Sequence, residues 1–215
     1  MAISNANYEI ILLDIGAPGR HSDGGVWRNT EIYERLENNT LLLPPFRAVE
    51  PGGVELPFVL VADEAFPLTS YMMRPYPRSG RLDLSKKVFN YRLSKARRVV
   101  ENAFGLLASR MRIYRKPIIA NTSTVVKIIQ ATVCLHNFIL KYEAPLPRNQ
   151  RPYYSLTTAD LNLPRDGLQN VENDDNDRYL QHCNNATAIR KAYTTYFNTT
   201  GAIECQWRKA LGNDF

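Results

Sequence analysis

The sequence predicts an α/β fold, and three observations lead there. Two short apolar runs, 8–15 and 57–62, each end abruptly in loop-forming or acidic residues. Two longer stretches, 85–111 and 122–142, repeat apolar residues at helical spacing. The composition, 44% hydrophobic and 22% charged, is that of an ordinary globular chain.

A length of 215 residues suits one domain of moderate size, or one domain with an appendage. Without a Gly-X-Y period or sustained heptads, collagen and coiled-coil readings fail. No 18 consecutive apolar residues occur, so no membrane-spanning helix is expected. Residues 1–7 lack the basic flank and apolar core of a secretory signal. Cys134, Cys183 and Cys205 lie far apart with no CxxC pair, which argues against a disulfide framework or a cysteine zinc site and for a reducing compartment.

Residues 8–15, YEIILLDI, read as a buried strand closed by Gly16-Ala17-Pro18-Gly19. Ser22 or Asp23 can cap a helix over 25–38, where Trp27, Ile32, Tyr33 and Leu36 recur. Residues 39–56, with three prolines and two glycines, read as loop. A second strand, Phe58–Ala62, runs into Asp63 and Glu64. Residues 74–84 are basic and punctuated by Pro and Gly. From Ser85 to Met111, Phe89, Leu93, Ala96, Val100, Ala103 and Leu107 fall on one helical stripe, widened by Val99 and Phe104. Gly105 is a weak point there, or a mark of close packing. A strand is expected near 113–120. A helix follows over 122–142, capped by Thr122 or Ser123, with Val125, Ile128, Ile129, Thr132, Val133, Leu135, His136 and Ile139 on its stripe. Residues 143–183 read as a polar linker, and a last helix over 184–198 begins a C-terminal segment, 184–215. No internal repeat is present.

The net charge of +6 is uneven. Residues 71–120 carry 13 Lys/Arg against Asp83 and Glu101, while the rest of the chain is net acidic. Such a block is either a solvated helical face or a surface for a polyanion, on which cations displace counterions from phosphates.

Asp63 stands just past an apolar strand, where α/β sheets present ligands, or it caps a helix over 64–72. Glu101 lies beside the apolar stripe of the basic helix, where an acid needs a cation or a salt bridge, for example to Arg97 or Arg98. Two such carboxylates can hold Mg²⁺ or Mn²⁺ against a phosphodiester. His136 reads as a packed, hydrogen-bonded histidine and Cys134 as core. Trp27 reads as a helix anchor, Trp207 as packing for the tail, and His21 as a turn residue.

Four segments carry a resemblance: DIGAPGRHSDGGVW (14–27), VADEAFPL (61–68), FNYRLSKARRVVENAFG (89–105) and ATVCLHN (131–137), with an echo from Tyr196-Phe197 to Gln206-Trp207. In order and spacing they resemble the nuclease domain of PIF/Harbinger-class DDE transposases and the nucleases derived from them, over most of 1–142. The resemblance implies an RNase H-like mixed sheet flanked by helices, over a domain 1–142. It implies a triad of acids that uses Mg²⁺ or Mn²⁺ to cut or join DNA, its second acid matching Asp63 and its third Glu101. Arg92, Lys95, Arg97, Arg98, Arg110 and Arg112 would then lie against the DNA backbone. Nuclear localisation, with some chain in the cytoplasm, and a Myb-like DNA-binding partner protein follow as expectations from the same source.

The first acid of that family lies in an Asp-Gly strand upstream of everything matched here. The expectation is therefore a sheet lacking its first strand and a chain impaired in cleavage, with Asp14 as a possible stand-in ligand. The rival expectation is a non-catalytic module that binds DNA or protein.

Overall fold

The computed structural model describes residues 1–17, 22–41, 43–78, 82–154 and 180–211, with no side-chain description at 148 and 180–184. Helices and small sheets combine into an α/β chain, as expected. The chain divides into two compact units, 1–19 with 98–169 and 20–97 with 170–215. The long helix α3, Leu84–Arg110, belongs to the second up to Arg97 and to the first from Arg98.

In the first unit, β1 (Ala2–Ser4) pairs antiparallel with β2 (Ile10–Leu13), with an irregularity between Ile3 and Ser4. The Asn5 side chain accepts from the backbone N–H groups of Asn7 and Glu9, and Tyr8 sits at φ +67° in the turn. Ile10, Leu107 and Val133 form the core here, joined by Ala2, Leu13, Met111, Tyr114 and Ile129. Leu107 and Val133 are stripe positions predicted for the two long helices. Helix α4 spans Thr122–Glu143, and Asn121, one residue earlier than expected, caps it by accepting from Thr124 N–H at 2.8 Å.

In the second unit, α1 (Asp23–Arg28) and α2 (Glu31–Glu37) replace the single helix expected over 25–38. Thr30 makes the break. Its hydroxyl donates to Trp27 C=O at 2.7 Å and accepts from Tyr33 N–H at 3.3 Å, capping the second helix. The expected loop 39–56 holds a hairpin, β3 (Arg47–Ala48) with β4 (Glu55–Leu56). Its turn is Glu50-Pro51-Gly52-Gly53, with Gly52 at φ +74° and Gly53 N–H bonded to Glu50 C=O at 3.0 Å. That is type II chemistry, which requires positive φ at the third residue. Strand β5 (Leu60–Val61) pairs parallel with β6 (Met72–Met73). Met73, Phe89, Leu93 and Ile189 form the core of this unit, the last from α5, Leu180–Asn198. A short α6, Gln206–Ala210, follows.

Several expectations are corrected. The described strands form three separate two-stranded ladders, two antiparallel and one parallel, in place of one mixed sheet. Residues 113–120 form no strand. A 3-10 turn occupies Arg112–Arg115, and Ile119 is fully exposed, so its apolar side chain has nothing to pair on. Cys134 and Leu135 are exposed, because the buried line of α4 runs through Val133, His136, Leu140 and Glu143. Ala96 is also exposed. Gly105 is not a close-packing glycine, since a Cβ there would meet nothing within 4 Å. Helix α4 is, by length and composition alone, apolar enough to cross a bilayer, so the absence of an unbroken apolar run excluded too much. Its buried His136 and Glu143 are tied to Tyr8, in the turn before β2, and to residues 153–154, which makes it an element of the first unit. Of the expected linker, 155–179 lie outside the described residues, as does His21. Tyr153, at the near end of that segment, is buried.

Candidate functional site

Strand β5 carries the chain to Asp63. Leu60 N–H bonds to Tyr71 C=O at 2.7 Å and Ala62 N–H to Met73 C=O at 3.0 Å, which fixes the strand end. Beyond it Asp63 caps a turn, with Oδ1 accepting from Ala65 N–H at 2.9 Å. No helix follows over 64–72, so the helix-cap alternative is corrected to a turn. Two groups hold this turn in place. Arg74 Nη1 donates to Glu64 C=O and Phe66 C=O, each at 3.2 Å. The Phe66 ring packs edge-on against the buried Trp27, centroids 6.4 Å apart. Trp27 thus anchors its helix, as expected, and also steadies the loop after Asp63.

The second oxygen of Asp63 meets Arg97. Asp63 Oδ2 accepts from Arg97 Nη1 at 3.1 Å, with side chains 28% and 34% exposed. Arg97 was expected on a nucleic-acid face; its guanidinium is the counter-charge of Asp63. A further carboxylate, Asp23, opens α1 behind its Ser22 cap. Burial raises the Asp23 pKa above the ordinary carboxylate range, and the negative charge of Asp63 raises it further. Asp63, Asp23 and Arg97 therefore form one electrostatic group in the second unit. The sequence reads Asp23 as a cap and, within the resembling segment 14–27, as a matched position with no triad role. An acid opening a Trp-anchored helix after a Gly-rich loop was the available signal.

Glu101 is exposed on α3, within the first unit, four residues and about one turn beyond Arg97 along that helix. Of the basic residues, Lys95, Arg98, Arg110 and Arg112 are exposed, and Arg110 also donates to Pro152 C=O at 2.9 Å. Arg92 is engaged inside its unit. Its Nη1 donates to Gly201 C=O at 2.7 Å and Gln206 Oε1 at 3.0 Å, and its guanidinium lies 4.5 Å from the Phe197 ring centroid. It fastens α6 and the preceding turn to α3.

His136 is fully buried, as expected of a packed histidine. Its Nε2–H donates to Tyr8 C=O at 2.9 Å, which leaves Nδ1 to accept from Tyr153 OH at 2.7 Å. Burial lowers its pKa, so it is held neutral. It is a structural group, and Asn137 beside it bonds both the N–H and the C=O of Ile10, at 2.9 and 2.8 Å.

A two-ion centre needs carboxylates on both sides of the ions. Here both oxygens of Asp63 are already engaged, one by Ala65 N–H and one by Arg97. Among the described residues no three His, Cys, Asp or Glu side chains gather into a metal site. The residues described therefore do not fit the ion pair that the resemblance implies.

No curated protein and no solved structure matches the chain. One family model does, and it spans residues 1–137, thereby taking in β1 to β6, Asp63, Glu101 and the His136-Asn137 pair. With that match across more than half its length, the chain belongs to the DDE superfamily endonucleases, a family that generally uses divalent metals.

Proposed function

We propose that this chain is a transposase-derived, metal-dependent DNA endonuclease domain of the PIF/Harbinger class that is impaired in cleavage as a 215-residue polypeptide and retains DNA binding. The family match over 1–137 carries this reading. Asp63 and Glu101 match the second and third acids of the family, which uses Mg²⁺ or Mn²⁺. Lys95, Arg98, Arg110 and Arg112 supply backbone contacts, with Arg92 kept for the fold. The engagement of both Asp63 oxygens supports impairment: a hard cation would have to displace Arg97 and would still lack a full carboxylate set. A nuclear setting and a Myb-like DNA-binding partner complete the reading.

The test is plasmid nicking in Mn²⁺ with the purified chain, alongside DNA binding measured against salt. Salt-sensitive binding with little nicking is expected. Strong nicking that vanishes in Asp63→Ala would show that another group completes the metal site. Nicking that survives both Asp63→Ala and Glu101→Ala would show that the assigned acids are wrong. Failure to bind DNA at low salt would overturn the DNA reading.

A second reading, a protein-binding module, is favoured by one observation. Leu135, Phe138 and Tyr142 are exposed and recur on one side of α4. Partners recovered by pull-down after nuclease digestion would support it, and their loss on digestion would refute it.

A further inference from the structure

Helix α4 is apolar on two opposite sides, and the first unit covers one of them. Val133, His136, Leu140 and Glu143 form its buried line. At about 100° per residue, Ala131, Leu135, Phe138 and Tyr142 come together on the other side. All four are exposed, Leu135 by 47%, Phe138 by 66% and Tyr142 by 71%. Lys127, Gln130, Cys134 and Lys141, also exposed, line one edge of this stripe. A helix apolar all round is ordinarily buried all round. A row of large apolar side chains left open on such a helix marks a contact surface.

The stripe is complementary to its own reverse. An antiparallel copy of α4, turned about a two-fold axis between His136 and Asn137, sets Ala131 against Tyr142 and Leu135 against Phe138. Each ring meets a smaller side chain, so the two rows interdigitate, and every contact is made twice. A parallel copy would set Ala131 on Ala131 and Tyr142 on Tyr142, with a gap at one end and crowding at the other. In the antiparallel pair, Lys127 of one copy and Lys141 of the other stay about 7.5 Å apart along the axis, more than a helical turn. The area is modest. An aromatic side chain buries about 150–250 Å² when covered, so the open parts of the two rings amount to roughly 200–350 Å² per copy. Ala131, Leu135 and the lysine stems bring a pair of copies to roughly 800–1,000 Å² in all. A stable dimer buries about 1,200–2,000 Å², so this face supports a weak, reversible one. The stripe bears no charge, and its one polar group is the Tyr142 hydroxyl, so its chemistry matches its own copy and not a charged partner.

We propose that the face of α4 carrying Ala131, Leu135, Phe138 and Tyr142 is the interface of a weak antiparallel homodimer of this chain. The proposal rests on the second reading above, that this face binds protein, and names the partner as another copy of the chain. It is independent of the DNA reading.

The experiment is sedimentation equilibrium of the full chain, nuclease-treated and in high salt, from low to several hundred micromolar. High salt screens charged contacts and leaves apolar ones in place. The expected mass climbs with concentration towards two chains and no further. Phe138→Glu and Ala131→Glu, both at exposed positions, should weaken association about tenfold or more, because each puts a charge into the covered face. Their circular dichroism melting should stay that of wild type. Ala131→Glu removes no large apolar side chain, so it separates the register from mere stickiness. A short bis-maleimide should join two chains through the exposed Cys134, whose copies stand about 7.5 Å apart along the axis in this pairing. Cys134→Ser should abolish that product. A single-chain mass at every concentration overturns the proposal. So does association that persists in both variants, that Ala131→Glu leaves unchanged, or that grows past two chains. A chain that stays monomeric but floats with phosphatidylserine vesicles gives the face to a lipid surface and refutes the dimer. A monomeric chain whose nuclease-resistant pull-down partners vanish in Phe138→Glu also refutes the dimer, and leaves the protein-binding reading standing. A monomer with no such partners fails both.

Discussion

Replacing His136 by Ala tests the polar centre of the first unit. The imidazole is fully buried and makes two hydrogen bonds, to Tyr153 OH and Tyr8 C=O. A net hydrogen bond contributes about 1 kcal/mol, and a buried group left without its partner costs about 1–3 kcal/mol. The truncated ring also leaves a cavity that its neighbours cannot fill completely. Together these put the loss at roughly 4 kcal/mol. For a chain of this size about 2–4 °C of Tm accompanies each kcal/mol, so Tm should fall by roughly 8–16 °C. The assay is circular dichroism melting of His136→Ala beside Tyr153→Phe, which removes one partner only and should cost about a third as much. The pH dependence supplies an independent readout. Burial depresses the folded pKa below the ordinary 6.5, so the unfolded chain binds the proton first. Stability from this group is fully present above pH 6.5 and declines as pH falls below it towards the folded value. His136→Ala should flatten that decline. A His136→Ala protein melting within 2 °C of wild type, with the same pH profile, would refute the assignment of His136 as a structural group.

Three further outcomes are expected. Asp63→Asn breaks a partly exposed pair worth about 1 kcal/mol or less, so Tm should barely change; carboxyl NMR should show the Asp23 pKa falling part of the way back, burial being its larger cause. Arg92→Lys loses the Nη1 bonds to Gly201 and Gln206 and the stack on Phe197, and should cost about 1–3 kcal/mol in urea unfolding. Gly105→Ala meets open space and should raise stability by about 1 kcal/mol, so a lower melting temperature would contradict the packing described.

The long helices were legible because their cores follow the 3.6-residue period: Phe89, Leu93, Ala103 and Leu107 are buried where the spacing puts them. Periodicity misses what side-chain hydrogen bonds decide. Thr30 splits a helix with one hydroxyl, and the period runs through the break unaltered. The Pro51-Gly52 turn was visible as a breaker, yet two-residue strands leave no alternation to read. At 113–120 the apolar residues satisfied strand propensity, but pairing needs a neighbour, and propensity is silent on that. The site was half legible. Asp63 follows from its place after β5, whereas its pairing with Arg97 and the nearness of Asp23 join residues far apart in sequence.

The Asn137 amide has a consequence for aggregation. By occupying both the N–H and the C=O of Ile10, it takes up the pair of groups that β2 would otherwise turn outward at that position. An incoming strand from another molecule finds its first rung already filled. The motif Leu135-His136-Asn137 thus works as a guard on an open ladder: one side chain imitates a β-strand for a single residue and stops there. Asn137→Ala would expose that rung, and the chain should then associate through β2 at concentrations where the parent stays dispersed.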